Sequence, residues 1–100
     1  MKKEIFIQYL EAVLKLYGVE RTELLSGNKK PDAIEARQML YYLCYQRQIK
    51  ICQIQRFMIE QGYDPKTPPI LQGIRRTTKK VDADQDYQTG TERIANSIFI

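Results

Sequence analysis

The chain has no histidine and no tryptophan, and only two cysteines in 100 residues. Without histidine it lacks the side chain that most often moves protons near neutral pH and the commonest metal ligand. Cys44 and Cys52 lie in apolar or mixed runs. A tetrahedral site built on two thiolates needs two further ligands, and no close cluster supplies them. The pair therefore reads as reduced core or boundary thiols of an intracellular protein, with no metal and no cofactor. Ser-rich and Gly-rich catalytic loops are missing, as is the Gly-x-x-x-x-Gly-Lys-Ser/Thr segment that cradles nucleotide phosphates. A domain this short buries only about 60–65% of the surface its unfolded chain exposes. Little room is left for a substrate cavity beside a stabilising core, so the expectation is a protein that is not an enzyme.

Long apolar runs are absent too. None approaches the roughly 20 residues that span a bilayer. The opening "MKKEIFIQYLEAV" has two lysines, but Glu4, Gln8 and Glu11 interrupt its apolar residues and no small-residue cleavage site follows. These features predict a soluble, cytoplasmic protein.

What is present is positive charge in the middle of the chain. The net charge is +4. Residues 1–20 are balanced; residues 21–50 hold six basic and three acidic side chains; residues 51–81 hold six and two. Residues 82–100 reverse the sign, with one basic and four acidic side chains. A central excess of this kind favours a polyanionic partner, although plain solvated surfaces carry it as well.

The periodicity is helical throughout. Ile5, Tyr9, Ala12, Val13 and Leu16 recur at three and four residues, with Phe6, Leu10, Leu14 and Tyr17 beside them, predicting a helix over 3–17 that Gly18 ends. Thr22 is placed to cap a short turn in "VERTELL", and "SGNKKPD" is a polar loop. Pro31 opens a helix over 31–47, with Asp32 and Glu35 near its positive end and Ala33, Ala36, Leu40, Leu43 and Cys44 on one face. Tyr41, Tyr42 and Tyr45 read as core and rim rather than as a stacking platform for single strands. "ICQIQRFMIEQ", 51–61, is a shorter helix that Gly62 stops. Thr67 is a candidate N-cap for "PPILQGIRRTTKKV". In that helix Ile70, Leu71, Ile74 and Val81 form the buried side, and Gly73 marks a close backbone approach. The pattern predicts a helical domain over 1–81 and an acidic extension over 82–100, with a short helix from Thr91 through Ile98.

Two helices joined by a Gly-containing turn, the second basic on its solvent face, suit a helix-turn-helix that places its second helix in the DNA major groove. A generic helical hairpin fits the pattern as well. Particular residues add a resemblance. "EARQMLYYLC", with Arg37 and Gln38, "ICQIQRFM", Gly62, and "ILQGIRR", with Arg75 and Arg76, resemble the C-terminal DNA-binding domain (domain IV) of the bacterial replication initiator DnaA. "IFIQYLEAVLKLYGVERTELLSGNKK" is similar to that family's lead-in helix and basic loop, so the likeness covers roughly residues 5–81. It implies an all-α fold with a Trp-repressor-like helix-turn-helix. The departure lies in the turn. Where the family reads Gly-Gly-Arg-Asp-His-Thr-Thr, this chain has Gly62-Tyr63-Asp64-Pro65-Lys66-Thr67-Pro68-Pro69, one residue longer. Prolines replace the two threonines, so recognition of the family's own DNA box is not implied.

The resemblance implies binding of double-stranded DNA by a small replication- or transcription-associated protein. Lys29 and Lys30 would meet phosphates from the first loop, and Lys66 and Thr67 would sit where the second helix enters the groove. Gln72, Arg75 and Arg76 are the candidates for base or backbone contacts; Lys79 and Lys80 are candidates for phosphates. Arg37 has either a structural or a phosphate role. No heptad seam is present, so a monomer is expected. The alternative is an adaptor or a structural subunit of a larger assembly, viral ones included, docking through the apolar tip Ile94–Ile100.

Overall fold

The computed structural model describes residues 2–97 and consists of helices: α1 (Lys2–Tyr17), α2 (Arg21–Leu24), α3 (Pro31–Gln46), α4 (Ile51–Glu60), α5 (Thr67–Ala83) and α6 (Gln85–Asn96). Helix α3 is the centre. It packs most extensively against α5 and α1 and also touches α2 and α4, while α6 lies along α5. The six helices enclose one core. Phe6, Leu10, Leu24, Leu40, Ile54, Met58 and Ile70 are fully buried in it, and each large apolar side chain removed from water contributes about 1.5–3 kcal/mol. The Phe6 and Phe57 rings meet at 5.4 Å with a tilt of 47°, a favourable aromatic arrangement. The radius of gyration is 12.2 Å, close to the about 13 Å of a compact 100-residue domain.

Three helices end in the same way. After α1, α3 and α4 the chain turns through a left-handed residue: Gly18 (φ 62°), Gln48 (φ 66°) and Gly62 (φ 101°). The next N–H then reaches back to the last turn: Val19 to Leu14 O, Ile49 to Cys44 O and Tyr63 to Met58 O, each at 3.1 Å. This closure satisfies carbonyls that a helix end otherwise leaves unpaired. It also folds the following side chain onto the body, so Val19 and Ile49 are buried. The polar composition of "RQIK" concealed Ile49, which is 1% exposed.

Several sequence expectations are corrected. The short helix α2 follows Glu20, whose N–H donates to Glu23 Oε1 at 3.3 Å; Thr22 lies inside the helix and does not cap it. Thr67 does not cap α5 either. The position before the helix is Lys66 (φ 64°, ψ 162°), and the Thr67 hydroxyl donates to Gln55 Oε1 at 3.2 Å. The last helix begins six residues before Thr91, at Gln85. Asp84 caps it by accepting from the N–H groups of Asp86 (2.9 Å) and Tyr87 (3.3 Å). Tyr87, Thr91 and Ile94, at helical spacing, turn toward the body, and Thr91 and Ile94 are buried. The predicted continuation through Ile98 lies outside the described residues.

Candidate nucleic-acid interface

Helix α5 shows two opposed faces. Ile70, Gly73, Ile74, Thr77 and Val81 are buried, and Gly73 sets how deep the helix sits. A Cβ added at Gly73 would lie 3.0 Å from Gln38 Cγ, 3.1 Å from Tyr41 Cδ2 and 3.3 Å from Gln38 Cα. The close backbone approach expected there is present. With one face so fixed, Gln72, Arg75, Arg76 and Lys79 all project to solvent. Their spacing of three, four and seven residues makes a single stripe. Among the described residues, Arg75, Arg76 and Lys79 have no ion pair and no hydrogen-bond partner.

Other predicted contact residues are engaged within the chain. Lys66 Nζ pairs with Asp64 Oδ2 at 3.0 Å. Lys80 Nζ pairs with Glu35 Oε1 at 2.9 Å and stands 5.9 Å from the centre of the Tyr87 ring, tying α5 to α3 and α6. Lys30 Nζ is 3.4 Å from Glu23 Oε2, while Lys29 is exposed with no partner among the described residues. Exposed pairs of this kind exchange readily with solvent or another anion, since each is worth about 0–1 kcal/mol.

The turn from α4 to α5, residues 61–66, is built on Asp64. Its carboxylate accepts from Gln55 Nε2, from the Lys66 N–H and from Lys66 Nζ, each at 3.0 Å. The Gln55 hydrogen bond first, and then those from Lys66, pull its pKa down from 3.8 to about 2. Gln55 also accepts from the Thr67 hydroxyl at 3.2 Å, so one glutamine joins the turn to the first residue of α5. Sequence reading missed Gln55. The Asp-Pro-Lys segment did carry a signal for the turn, because an aspartate often accepts from the N–H two residues on.

A shallow groove of about 400 Å³ runs between the start of α3 and α5, lined by Pro31, Asp32, Glu35, Gln38, Arg76 and Lys80 among others. Its two carboxylates, Asp32 and Glu35, stand on the α3 side of the groove, and Glu35 holds Lys80. Beyond Lys80 the sign reverses, with Asp82, Asp84 and Asp86 all exposed.

Arg37 is engaged within the chain. Its Nη2 donates to the Asn28 carbonyl, its guanidinium lies 5.8 Å from the centre of the Tyr63 ring, and its Nε is buried without a partner. Tyr41 and Tyr42 belong to the core, and Tyr45 is about half exposed at its rim. Burial pushes the Tyr41 hydroxyl well above its ordinary value, as suits a packing residue. Cys44 is buried and Cys52 exposed, both as free thiols. Among the described residues no group of three potential metal-ligating side chains converges, and no helix is long and apolar enough to cross a membrane. Ile94, first residue of the predicted docking tip, is buried in the core; Ile98, Phe99 and Ile100 lie outside the described residues.

No protein-family model, curated protein or solved structure matches the chain. The geometry establishes a six-helix, all-α domain with an exposed cationic stripe on its longest helix.

Proposed function

We propose that this protein binds double-stranded DNA as a monomer, with α4, the turn 61–66 and α5 acting as a helix-turn-helix, and that it is a binding protein rather than an enzyme. The observation that carries this reading is the stripe of Arg75, Arg76 and Lys79, three exposed cations without an ion pair among the described residues, on a helix whose other face is locked into the core. The resemblance of Arg37-Gln38, Gly62 and Arg75-Arg76 to the DnaA C-terminal domain supports it. Binding rests chiefly on the phosphate backbone. Pro68 and Pro69 occupy the exposed start of α5 and have no N–H to offer a base or a phosphate. Gln72 and one arginine are the remaining side chains suited to reading base edges.

The test is fluorescence anisotropy of a labelled random duplex at roughly 50 and 200 mM salt. Four cations at the duplex, Lys29, Arg75, Arg76 and Lys79, each counted as releasing one phosphate's counterion, correspond to a slope of log affinity on log salt of about −3.6, or an affinity loss of about 150-fold over that range. Replacing Arg75 and Arg76 together by alanine should flatten the slope by about 1.8. No binding at the lower salt, or binding that ignores this double substitution, refutes the reading.

A further inference from the structure

The two cationic segments are far apart in sequence. Lys29 and Lys30 lie in the loop before α3, and the stripe on α5 begins more than 40 residues later at Gln72. One contact cluster joins their supports. Arg37, in the second turn of α3, reaches back through Nη2 to the Asn28 carbonyl. Asn28 Oδ1 in turn accepts the Lys30 N–H at 2.8 Å, so the guanidinium holds the loop through the residue that shapes it. Across the guanidinium, at 5.8 Å, stands the ring of Tyr63. That ring also lies against the loop: a Cβ built on Gly27 would be 3.4 Å from Tyr63 Cε1 and 3.6 Å from its hydroxyl oxygen. Tyr63 is itself fixed to the end of α4 by its N–H bond to Met58 O at 3.1 Å. The next residue is Asp64, which organises the turn into α5. Pro31, directly after Lys30, lines the same groove as Arg76 of α5.

We infer that Arg37 and Tyr63 form a clasp between the Lys29–Lys30 loop and the turn that starts α5, making the loop and the α5 stripe one polyanion-binding surface. The inference rests on the DNA reading above for its ligand, and on the Arg37–Asn28–Tyr63 contacts for its geometry. Neither residue is asked to touch the polyanion. Both are positioning residues. A loop tethered at Asn28 presents its lysines at a fixed place beside α5, whereas a free loop pays ordering entropy each time it engages a phosphate.

The test is a double-mutant cycle on the full chain, read as the salt slope with the labelled random duplex. Tyr63→Leu keeps an apolar side chain after the helix stop but removes the ring beneath the guanidinium. Lys29→Ala plus Lys30→Ala removes the loop charges and, with Lys29 as the loop's one counted phosphate contact, should flatten the slope by about 0.9, which shrinks the affinity loss between roughly 50 and 200 mM salt about 3.5-fold. Tyr63→Leu should reproduce a large part of that flattening with every charge still present. Adding it to the lysine pair should change the slope no further, because interacting residues depart from additivity. Tyr63→Phe, which keeps the ring, should behave like the unmodified protein. Arg75→Ala should remain additive with Tyr63→Leu. Full additivity of Tyr63→Leu with the lysine pair, or an unchanged slope, overturns the inference. Amide hydrogen exchange of residues 27–30 separates its failure from failure of the DNA reading. If the unmodified protein does not bind duplex, the shared-surface role falls with the DNA reading, and faster exchange of the loop in Tyr63→Leu would leave the clasp standing as a structural contact. Unchanged exchange removes the clasp itself.

Discussion

Replacing Gly73 by alanine tests the packing that aims α5. Alanine is the best helix former, and in an unobstructed helix interior the exchange gains about 0.8–1.0 kcal/mol. At position 73 the added methyl would stand 3.0 Å from Gln38 Cγ, 3.1 Å from Tyr41 Cδ2 and 3.3 Å from Gln38 Cα. Gln38 can rotate its side chain away. The Tyr41 ring is only 3% exposed and the Gln38 Cα is backbone, so two of the three contacts can be relieved only by moving α5 off α3. Overpacking of this kind costs about 1–3 kcal/mol. The expected net is a loss of about 1 kcal/mol, which lowers Tm by about 4–8 °C in a domain of this size. Gly90 is the internal control. It also sits inside a helix, α6, but a Cβ there meets nothing within 4 Å. Gly90→Ala should therefore gain up to about 1 kcal/mol, separating the two alanine variants by about 2 kcal/mol. Urea and thermal unfolding of both, with an unchanged urea slope confirming that the native and unfolded states are otherwise comparable, measure the difference. Equal stabilisation by both substitutions would refute the claim that Gly73 is selected by the α3–α5 approach.

Gln48 takes the left-handed position that Gly18 and Gly62 hold in the other two closures. A non-glycine residue there costs about 1–2 kcal/mol, part of which glycine returns as lost backbone entropy. Gln48→Gly is expected to stabilise by about 0.5–1 kcal/mol, and a melt that shows no rise in Tm would sink the idea. Asp64 gives a prediction in pH. Its folded pKa of about 2 is below its ordinary 3.8, so its contribution is complete above the unfolded value and is lost as pH falls from about 4 toward 2. Asp64→Asn should flatten the acid limb of the stability curve in that window; a curve with the same acid limb would show that the turn does not depend on the charged carboxylate.

Most of the helices were legible because their signals are local. A 3.6-residue apolar period, Pro31 at a helix start and glycine after a helix end each act within a few residues, and α1, α3 and α4 appear where those signals put them. The start of α6 was missed for a related reason. Its sequence is polar, with Tyr87, Thr91 and Ile94 spread over two turns and Gly90 between them, so an apolar-period reading sees only its end. The decisive mark was Asp84 as a cap. At Thr67 the local rule failed because a hydroxyl bonds to one acceptor at a time, and Gln55, twelve residues back, took it.

The candidate surface divides along the same line. The composition and order of residues determined by themselves that the chain is helical, that its charge is positive in the middle and reverses after Val81, and that Gln72, Arg75, Arg76 and Lys79 share one face of a helix. Those properties follow from covalent order and helix geometry. Only the tertiary structure decided which of the cations remain unopposed. Glu35 lies 45 residues from Lys80 in sequence and 2.9 Å from it in space, and Arg37 reaches the carbonyl of Asn28 while facing the ring of Tyr63. Charge pairing and side-chain stacking depend on distances of a few ångströms, which are set by how the helices pack, as where α3 and α5 close on Gly73.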